Sequence, residues 1–157
     1  MIIDGSRAAD RTSALILRFY AAFNRGDVEG MLDCCGDDVV HDINQGTRET
    51  GKAAYRAYLQ RLLQCYHIEL RDIVVMSIDD GTRAAAEFVQ HGVYQDNAPG
   101  LPAAQGQRYV LPGGGFFSVH LGKIARVAHH YNLQERASQI QRAAEGGSSA
   151  SRTQNAE

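Results

Sequence analysis

The sequence predicts an α+β fold in which the helices come first along the chain and the strands follow. Over roughly the first 65 residues, apolar side chains recur at the spacing of amphipathic helices. From residue 68 onward, runs rich in Ile, Val and Leu alternate with turn residues, and turns between successive strands favour antiparallel pairing. We therefore expect a strongly curved, mainly antiparallel sheet that wraps around the N-terminal helices.

Three helices are predicted before the first long strand. The apolar residues of segment 14–23 share one helical face; they are Leu15, Ile16, Phe19, Tyr20 and Phe23. Gly26 ends this helix, and Asp27 caps a short second helix that Gly36 stops. After a polar segment, a third helix covers about residues 52–64.

Two β-hairpins and a final helix are predicted in the rest of the chain. Segments 68–78 and Arg83–Tyr94 form the first hairpin, because an Asp-Asp-Gly sequence supplies turn chemistry between them. Segments Gln107–His120 and 124–132 form the second hairpin. A terminal helix follows over residues 133–144.

A run of three glycines, Gly113, Gly114 and Gly115, lies inside the strand Gln107–His120. Missing side chains permit a sharp bend or a bulge, so the run supports a curved sheet. A phosphate-binding loop is the alternative, but strand-like residues rather than a helix follow the run. The loop around Pro99 is long enough to form the rim or lid of a pocket.

Length and composition indicate one domain and limit its partners. We expect a flexible N-terminus over residues 1–12, a single domain over 13–145 and a disordered tail over 146–157. A net charge of −2 without a basic stripe argues against a nucleic-acid partner. No segment approaches the ~20 apolar residues that span a bilayer, and no apolar leader opens the chain, so we expect a cytoplasmic protein without a membrane partner. An odd number of cysteines, three, favours reduced thiols over a disulfide framework.

A strand-like segment with polar residues predicts a pocket. After Val39 and Val40, the polar residues His41, Asp42, Asn44 and Gln45 occupy positions that an ordinary core strand fills with apolar side chains. Such a segment commonly lines a cavity. Asn44 and Gln45 also have a second interpretation, as turn residues that satisfy backbone groups near a glycine.

Five segments of the chain resemble one known family. They are FYAAFNRGDVEGML, DDVVHDINQGTRETGKAAY, AAAEF, GQRYVLPGGGFF and GKIARVAHHYNL. Over residues 14–133 the chain resembles the nuclear-transport-factor-2-like superfamily, in its ketosteroid isomerase and SnoaL-like polyketide cyclase branch. The resemblance implies a cystatin-like cone, a small apolar or amphipathic ligand bound without a cofactor, and a homodimer formed through the convex face of the sheet.

The resemblance to ketosteroid isomerase fails at the residues that carry that reaction, which are an Asp base, a Tyr and a protonated Asp. Phe19 takes the position of the tyrosine, although Tyr20 follows it. The glycine run takes the position of the neutral acid, and Ile43 that of the base. Asp42, next to Ile43, reaches the cavity only after a one-residue bulge or register shift. Classical steroid isomerisation is therefore not implied.

Two residues are candidate catalytic groups within this resemblance. His129 can act as a general acid or base, and the alternative is a hydrogen-bonded structural histidine. Asp42 can act as a base whose pKa an apolar cone raises, and the alternatives are a turn cap or an ion pair with a base such as Arg48. Strand alternation and the superfamily alignment add substrate-binding positions: Phe19, Tyr20, His41, Asn44, Phe88, Gln90, Phe116, Val127 and Tyr131. A salt bridge is expected between Glu87 and Arg126 or across a dimer interface.

Metal binding is not predicted. His129 and His130 are adjacent on a strand and point to opposite faces, and no HExxH or paired CxxC spacing exists. Two functions remain open at this point. One is a cofactor-independent isomerase, cyclase or dehydratase that moves a proton on a small apolar carbonyl compound. The other is a binding or dimerisation module without chemistry.

Overall fold

A computed structural model describes residues 5–152 of the chain. No helix within this range is both long and apolar enough to cross a bilayer. The elements in chain order are α1 Gly5–Asn24, α2 Val28–Asp33, β1 Cys35–Asp42, β2 Arg48–Thr50, α3 Lys52–Cys65, β3 Tyr66–Ser77, β4 Arg83–Tyr94, β5 Gln107–His120, β6 Lys123–Tyr131 and α4 Leu133–Arg152.

The six strands form one curled sheet in the order β2-β1-β6-β5-β4-β3. Strand β1 runs parallel to β6, whereas every other neighbouring pair is antiparallel. The two predicted hairpins are β3–β4 and β5–β6. The predicted fold class, an α+β domain with a mainly antiparallel sheet around N-terminal helices, is confirmed.

Helix α1 packs its apolar stripe against the concave side of the sheet. Leu15, Ile16, Phe19 and Tyr20 are at most 3% exposed, because burying such side chains removes apolar surface from water. The helix begins at Gly5, so the prediction of a flexible segment over residues 1–12 is wrong from that residue on. The Thr12 hydroxyl donates to the carbonyl of Gly81 at 2.6 Å and ties the early turns to the β3–β4 turn. Residues 1–4 lie outside the described part.

Local signals explain where helices α2 and α3 begin. The Asp27 carboxylate accepts from the backbone N–H of Gly30 at 2.9 Å, which is the predicted N-terminal cap of α2. Gly51 precedes α3 with a φ of 95°, a left-handed conformation that favours glycine. Its backbone N–H donates to the carbonyl of Val39 at 2.8 Å, so the start of α3 is attached to β1.

Helix α4 packs on β5 and extends beyond its predicted end at residue 144. It buries Ile140 completely and continues through two glycines to Arg152. Glycine costs a helix only about 1 kcal/mol relative to alanine, so the pair does not by itself end the helix. The predicted disordered tail over 146–157 is therefore helical as far as Arg152, and residues 153–157 lie outside the described part.

The glycine run in β5 does not form a bulge. Strands β4 and β5 keep a continuous register through Gly113, Gly114 and Gly115, and the irregularity in β5–β6 pairing falls between Ser118 and Val119. Of the two distortions that the run permits, the continuous register excludes the bulge, and the curved sheet that the run supported is confirmed. The glycines serve the cavity instead, by leaving room for side chains from other elements.

Candidate functional site

A partly enclosed cavity lies between α1, α3 and the concave face of the sheet. The space between its lining atoms is about 560 Å³ including the mouth, and about 50 Å³ of it is open to the centres of water-sized spheres. This is room for a few water molecules, so a larger ligand enters by displacing side chains. The lining residues are Phe19, Tyr20, Phe23, Met31, His41, Asn44, Tyr55, Tyr58, Leu59, Leu62, Ile68, Leu70, Phe88, Gln90, His129 and Tyr131.

The cavity wall is aromatic and carries no carboxylate, ammonium or guanidinium group among these lining residues. Its polar groups are hydroxyls, amides and imidazoles. A charged ligand would therefore lose its hydration without gaining an opposite charge, at a cost of several kcal/mol or more per ion. The wall favours an uncharged ligand with a few polar atoms.

Most of the predicted substrate-binding residues line this cavity, together with His129. They are Phe19, Tyr20, His41, Asn44, Phe88, Gln90 and Tyr131. On β4 and β6 the strand alternation turns these side chains to the concave face, as expected from a period of two. The loop around Pro99, predicted as a rim or lid, contributes no residue to the lining.

Asp42 faces away from the cavity. Its carboxylate accepts from Arg48 Nε at 2.6 Å and from Arg126 Nε at 2.7 Å, and the two guanidinium groups hold its pKa at about 2. Strand β1 has no bulge between Val40 and Asp42, so His41 points inward and Asp42 outward. The predicted catalytic position of Asp42 is wrong, and the alternative of an ion pair with Arg48 is confirmed. Arg126 is paired with Asp42, so the predicted salt bridge between Glu87 and Arg126 is wrong, and the alternative of a pair across a dimer interface stays a prediction.

Two further predicted lining residues lie elsewhere. Phe116 is 52% exposed on the outer face, where its ring lies 5.6 Å from that of His130. Phe117 takes the inward position and is fully buried, because Phe117 lies on the same face of β5 as Gly113 and Gly115, the face that points to the concave side. Val127 pairs with Phe117 and is buried in the core, but it does not reach the cavity.

A hydrogen bond joins Tyr20 and His129 inside the cavity, and we call these residues the Tyr20–His129 pair. The Tyr20 Oη and His129 Nε2 atoms are 3.0 Å apart. Burial lowers the pKa of His129 to about 3 and raises the pKa of Tyr20, so both groups are uncharged at neutral pH. The rings of Phe19, Phe88 and Phe117 surround the imidazole at 5.8–6.4 Å between centroids.

The glycine run makes this pair possible. A Cβ atom on Gly115 would lie 2.8 Å from Tyr20 Oη and 2.9 Å from His129 Cδ2. A Cβ atom on Gly113 would lie 2.7 Å from the ring of Phe88. Sequence reasoning located the run but not its use, because the side chains that fill the space come from distant segments.

A second hydrogen bond in the site joins His41 to Glu49, and we call these two residues the Glu49–His41 pair. The Nδ1 atom of His41 lies 3.2 Å from Glu49 Oε1, and the imidazole packs 4.5 Å from the rings of Tyr55 and of Tyr58. Burial lowers the pKa of His41, and the Glu49 carboxylate opposes that shift. Sequence reasoning missed Glu49 and both tyrosines. Glu49 lies opposite His41 on β2, and pairing of these two strands would have indicated it. Because β2 has only three residues, the apolar periodicity of the sequence did not reveal that strand.

Two amide side chains complete the polar part of the cavity. Gln90 is only 4% exposed and lines the cavity. Asn44 donates from Nδ2 to the carbonyl of Tyr131 at 2.7 Å, which joins the end of β1 to the end of β6. Among residues 5–152, no three His, Cys, Asp or Glu side chains are grouped as metal ligands are.

A curled sheet that encloses a mostly apolar chamber against N-terminal helices defines the class of cone domains called nuclear-transport-factor-2-like. Within that class, the chain belongs to the SnoaL-like domain family, which matches residues 16–127. The family match covers both hairpins and three of the four helices in whole or in part.

Solved structures of bacterial proteins are similar to this chain. A candidate polyketide cyclase from Xanthomonas campestris pv. campestris is 52% identical, with a TM-score of 0.83 over 85% of this chain and 98% of that protein. A candidate polyketide cyclase from Pseudomonas putida KT2440 is 50% identical, with a TM-score of 0.80 over 82% and 97%. An LEH-like epoxide hydrolase from M. tuberculosis, 17% identical with a TM-score of 0.67 over 86% and 92%, shares the fold. No curated protein sequence matches the chain.

Proposed function

We propose that this domain binds a small, uncharged and mostly apolar carbonyl compound and moves a proton next to its carbonyl group without a cofactor. Such a step belongs to isomerases, cyclases and dehydratases. The observation that carries the proposal is the uncharged Tyr20–His129 pair, buried in an aromatic cavity whose lining has no charged side chain.

The Tyr20–His129 pair can polarise a carbonyl group whichever atom holds the shared hydrogen. If Tyr20 donates to Nε2, the neutral imidazole of His129 carries its hydrogen on Nδ1. If Nε2 donates, the hydroxyl hydrogen of Tyr20 is free. Either arrangement offers one hydrogen to a carbonyl oxygen, and a donor fixed in a water-poor site stabilises the negative charge that develops there.

The names of the similar proteins support a carbonyl substrate. A polyketide carries carbonyl groups at regular intervals, and closing its rings requires carbon atoms beside those groups to lose protons. The two candidate polyketide cyclases are at least 50% identical to this chain. The narrow cavity favours a smaller compound or a single ring of a larger one.

Hydrogen–deuterium exchange tests the proposal. The protein is incubated in D₂O with uncharged cyclic ketones from cyclopentanone to 2-tetralone, and loss of the signals beside the carbonyl is followed by NMR. We expect exchange above the buffer rate, and Tyr20→Phe and His129→Gln to lower kcat/KM by about 100-fold.

The matched control is Tyr109→Phe, which removes a buried hydroxyl outside the cavity and leaves exchange unchanged. Ketones that raise the melting temperature but do not exchange would overturn the catalytic proposal. That outcome would favour the second candidate, a binding module without chemistry.

We further propose that the domain forms a homodimer through the outer face of the sheet. Apolar side chains about half exposed on that face support the proposal; they are Val74, Met76, Val110 and Phe116. The described cysteines form no disulfide, which supports the expected cytoplasmic location because a reducing compartment keeps thiols free.

A further inference from the structure

The proposed function needs a base, and Asp42 is not available because it lies outside the cavity. We propose that His41 is the general base of this cavity and that Glu49 positions it. This inference rests on the proposed function for its substrate class. Four observations around β1 support this role: a carboxylate partner, an open nitrogen, two flanking rings and a rigid ribbon.

The carboxylate determines which nitrogen of His41 carries the hydrogen. His41 and Glu49 are direct partners across the antiparallel β1–β2 pair, and Nδ1 lies 3.2 Å from Oε1. A carboxylate only accepts hydrogen bonds, so Nδ1 of the imidazole must donate. In the neutral imidazole, Nε2 then has a lone pair and can accept a proton.

That lone pair is open to the cavity. His41 is 3% exposed and lines the chamber, and within residues 5–152 its only side-chain hydrogen bond is the one at Nδ1, so Nε2 has no partner there. Among the described residues, the Tyr109 hydroxyl is the only side-chain N or O atom that has neither a hydrogen-bond partner nor appreciable accessible surface. Because Nε2 of His41 has no partner either, it must have accessible surface. The free space beside Nε2 is therefore the chamber itself.

The orientation of the imidazole is restricted on both sides. The rings of Tyr55 and Tyr58, one turn of α3 apart, lie 4.5 Å from it. The β1–β2 ribbon is held by the Asp42–Arg48 ion pair and by a backbone hydrogen bond of 3.0 Å from Ile43 to Thr47. A base fixed in this way loses little entropy when the reaction occurs.

The charged and titratable groups around His41 support a neutral base at neutral pH. Glu49 faces it from β2, Tyr55 and Tyr58 from α3, His129 from β6, and Asp42 is its neighbour on β1. Burial is the largest influence and lowers the pKa of His41, while the two carboxylates favour the protonated form. When His41 takes a proton, Glu49 stabilises the imidazolium without itself touching the substrate.

The proposed step balances within the cavity. His41 Nε2 takes a proton from the carbon beside the carbonyl, and the C–H electron pair forms a C=C bond while the carbonyl electrons move to oxygen. The resulting enolate oxygen accepts the hydrogen bond of the Tyr20–His129 pair. His41 then returns the proton to another carbon of the substrate, and neither an oxidant nor a reductant is needed.

A probe that requires only a base tests His41 separately from the Tyr20–His129 pair. The probe is 5-nitrobenzisoxazole, a flat and uncharged C–H acid; loss of its C–H proton breaks the N–O bond and releases a coloured phenolate. We expect His41→Gln to lower kcat/KM by about 100-fold. We expect Glu49→Gln to lower kcat about 10-fold with little change in KM, and Glu49→Asp, which keeps a carboxylate, to restore part of it.

The pH profile separates positioning from mere structural support. Activity rises with pH as His41 loses its proton, and Glu49 favours the protonated form, so Glu49→Gln moves this rise to lower pH. Glu69→Gln is the control, because it removes the same charge from a carboxylate that is paired with Arg71 on the exposed surface. It leaves rate and profile unchanged.

NMR of the ¹⁵N-labelled imidazoles gives a readout without any substrate. We expect His41 to carry its hydrogen on Nδ1 in the wild type and to lose that preference in Glu49→Gln. Hydrogen on Nε2 in the wild type, or a His41→Gln variant that processes the probe normally, overturns the inference. Probe turnover that depends on His41, without ketone exchange, contradicts the proposed function but supports the base.

Discussion

Glycine at position 115 leaves the space in which Tyr20 and His129 meet. Its backbone pairs regularly with β4 and β6, so no unusual conformation requires a glycine there. The requirement is steric, because the hydroxyl of Tyr20 and the ring of His129 occupy the volume of the absent Cβ. The absence of a side chain at Gly115 thus allows Tyr20 and His129 to contact each other.

Gly115→Ala is predicted to disrupt the Tyr20–His129 pair. The added Cβ, within 3 Å of both side chains, separates them or shifts the strand, and such overpacking costs about 1–3 kcal/mol of unfolding free energy. Urea denaturation measures the loss. Gly36→Ala is the control, since its Cβ would meet only ordinary contacts at 3.9 Å or more. Equal stability of the two variants would contradict the steric explanation.

At the scale of elements, one carboxylate joins three strands. Asp42 on β1 binds Arg48 of β2 and Arg126 of β6, and its side chain is 25% exposed. This clamp holds the short β2 strand in register, and the register places Glu49 beside His41. Asp42, which points outward from β1, therefore supports the position of His41, which points inward.

Asp42→Asn is predicted to destabilise the fold by about 1–2 kcal/mol through the loss of charge-assisted hydrogen bonds. The folded pKa of Asp42 is about 2 and its ordinary value is 3.8, so its contribution is complete above pH 3.8 and lost as pH falls towards 2. Urea denaturation at pH 7 and pH 3 measures both effects. Glu29→Gln, which breaks an exposed pair with Arg56, is the control and is expected to cost less than Asp42→Asn, because solvent screens an exposed ion pair. A variant as stable as wild type at pH 7 would show that the clamp is not needed.

Helix α4 supplies hydrogen bonds to the part of β5 that extends beyond the end of β6. Strand β5 extends past the end of β6, so the backbone of Val110 has no strand partner on that side. The Gln139 side chain accepts from the Val110 N–H at 2.8 Å and donates to its carbonyl at 2.9 Å. One amide side chain thus replaces a strand and covers an otherwise open sheet edge.

At the scale of the whole molecule, a bulge in β3 adds Val74 and Met76 to the apolar outer face. The register shifts between Arg71 and Val74, where Asp72 adopts a φ of 55°. Ile68 and Leu70 point into the core before the bulge, and without it Val74 would follow them. The shift instead turns Val74 outward, beside the exposed Phe116 region.

A dimer through this face is predicted to depend on Phe116. Phe116→Asp places a charge in the apolar surface and is expected to give a monomer by analytical ultracentrifugation, whereas the wild type sediments as a dimer. Leu121→Asp is the control, because Leu121 is 88% exposed but lies in the β5–β6 turn. A monomeric wild type would end the proposal.

Periodicity by itself determined much of this protein. The spacing of apolar residues predicted α1 and its buried face, Asp27 as a cap, and both hairpins, because these features depend on contacts between neighbours in the chain. Family resemblance added the cone and most of the cavity lining. Strand alternation together with the superfamily alignment also assigned the inward residues of β4 correctly.

Only the tertiary structure decided which polar groups meet. The faces of β1 and β5 depend on register, and one residue of register exchanges Asp42 for His41 or Phe116 for Phe117. The partners of the two imidazoles come from other segments, Tyr20 from α1 and Glu49 from a strand too short to show a pattern. Such pairs arise when the sheet curls around the helices, and no local feature of the chain records that closure.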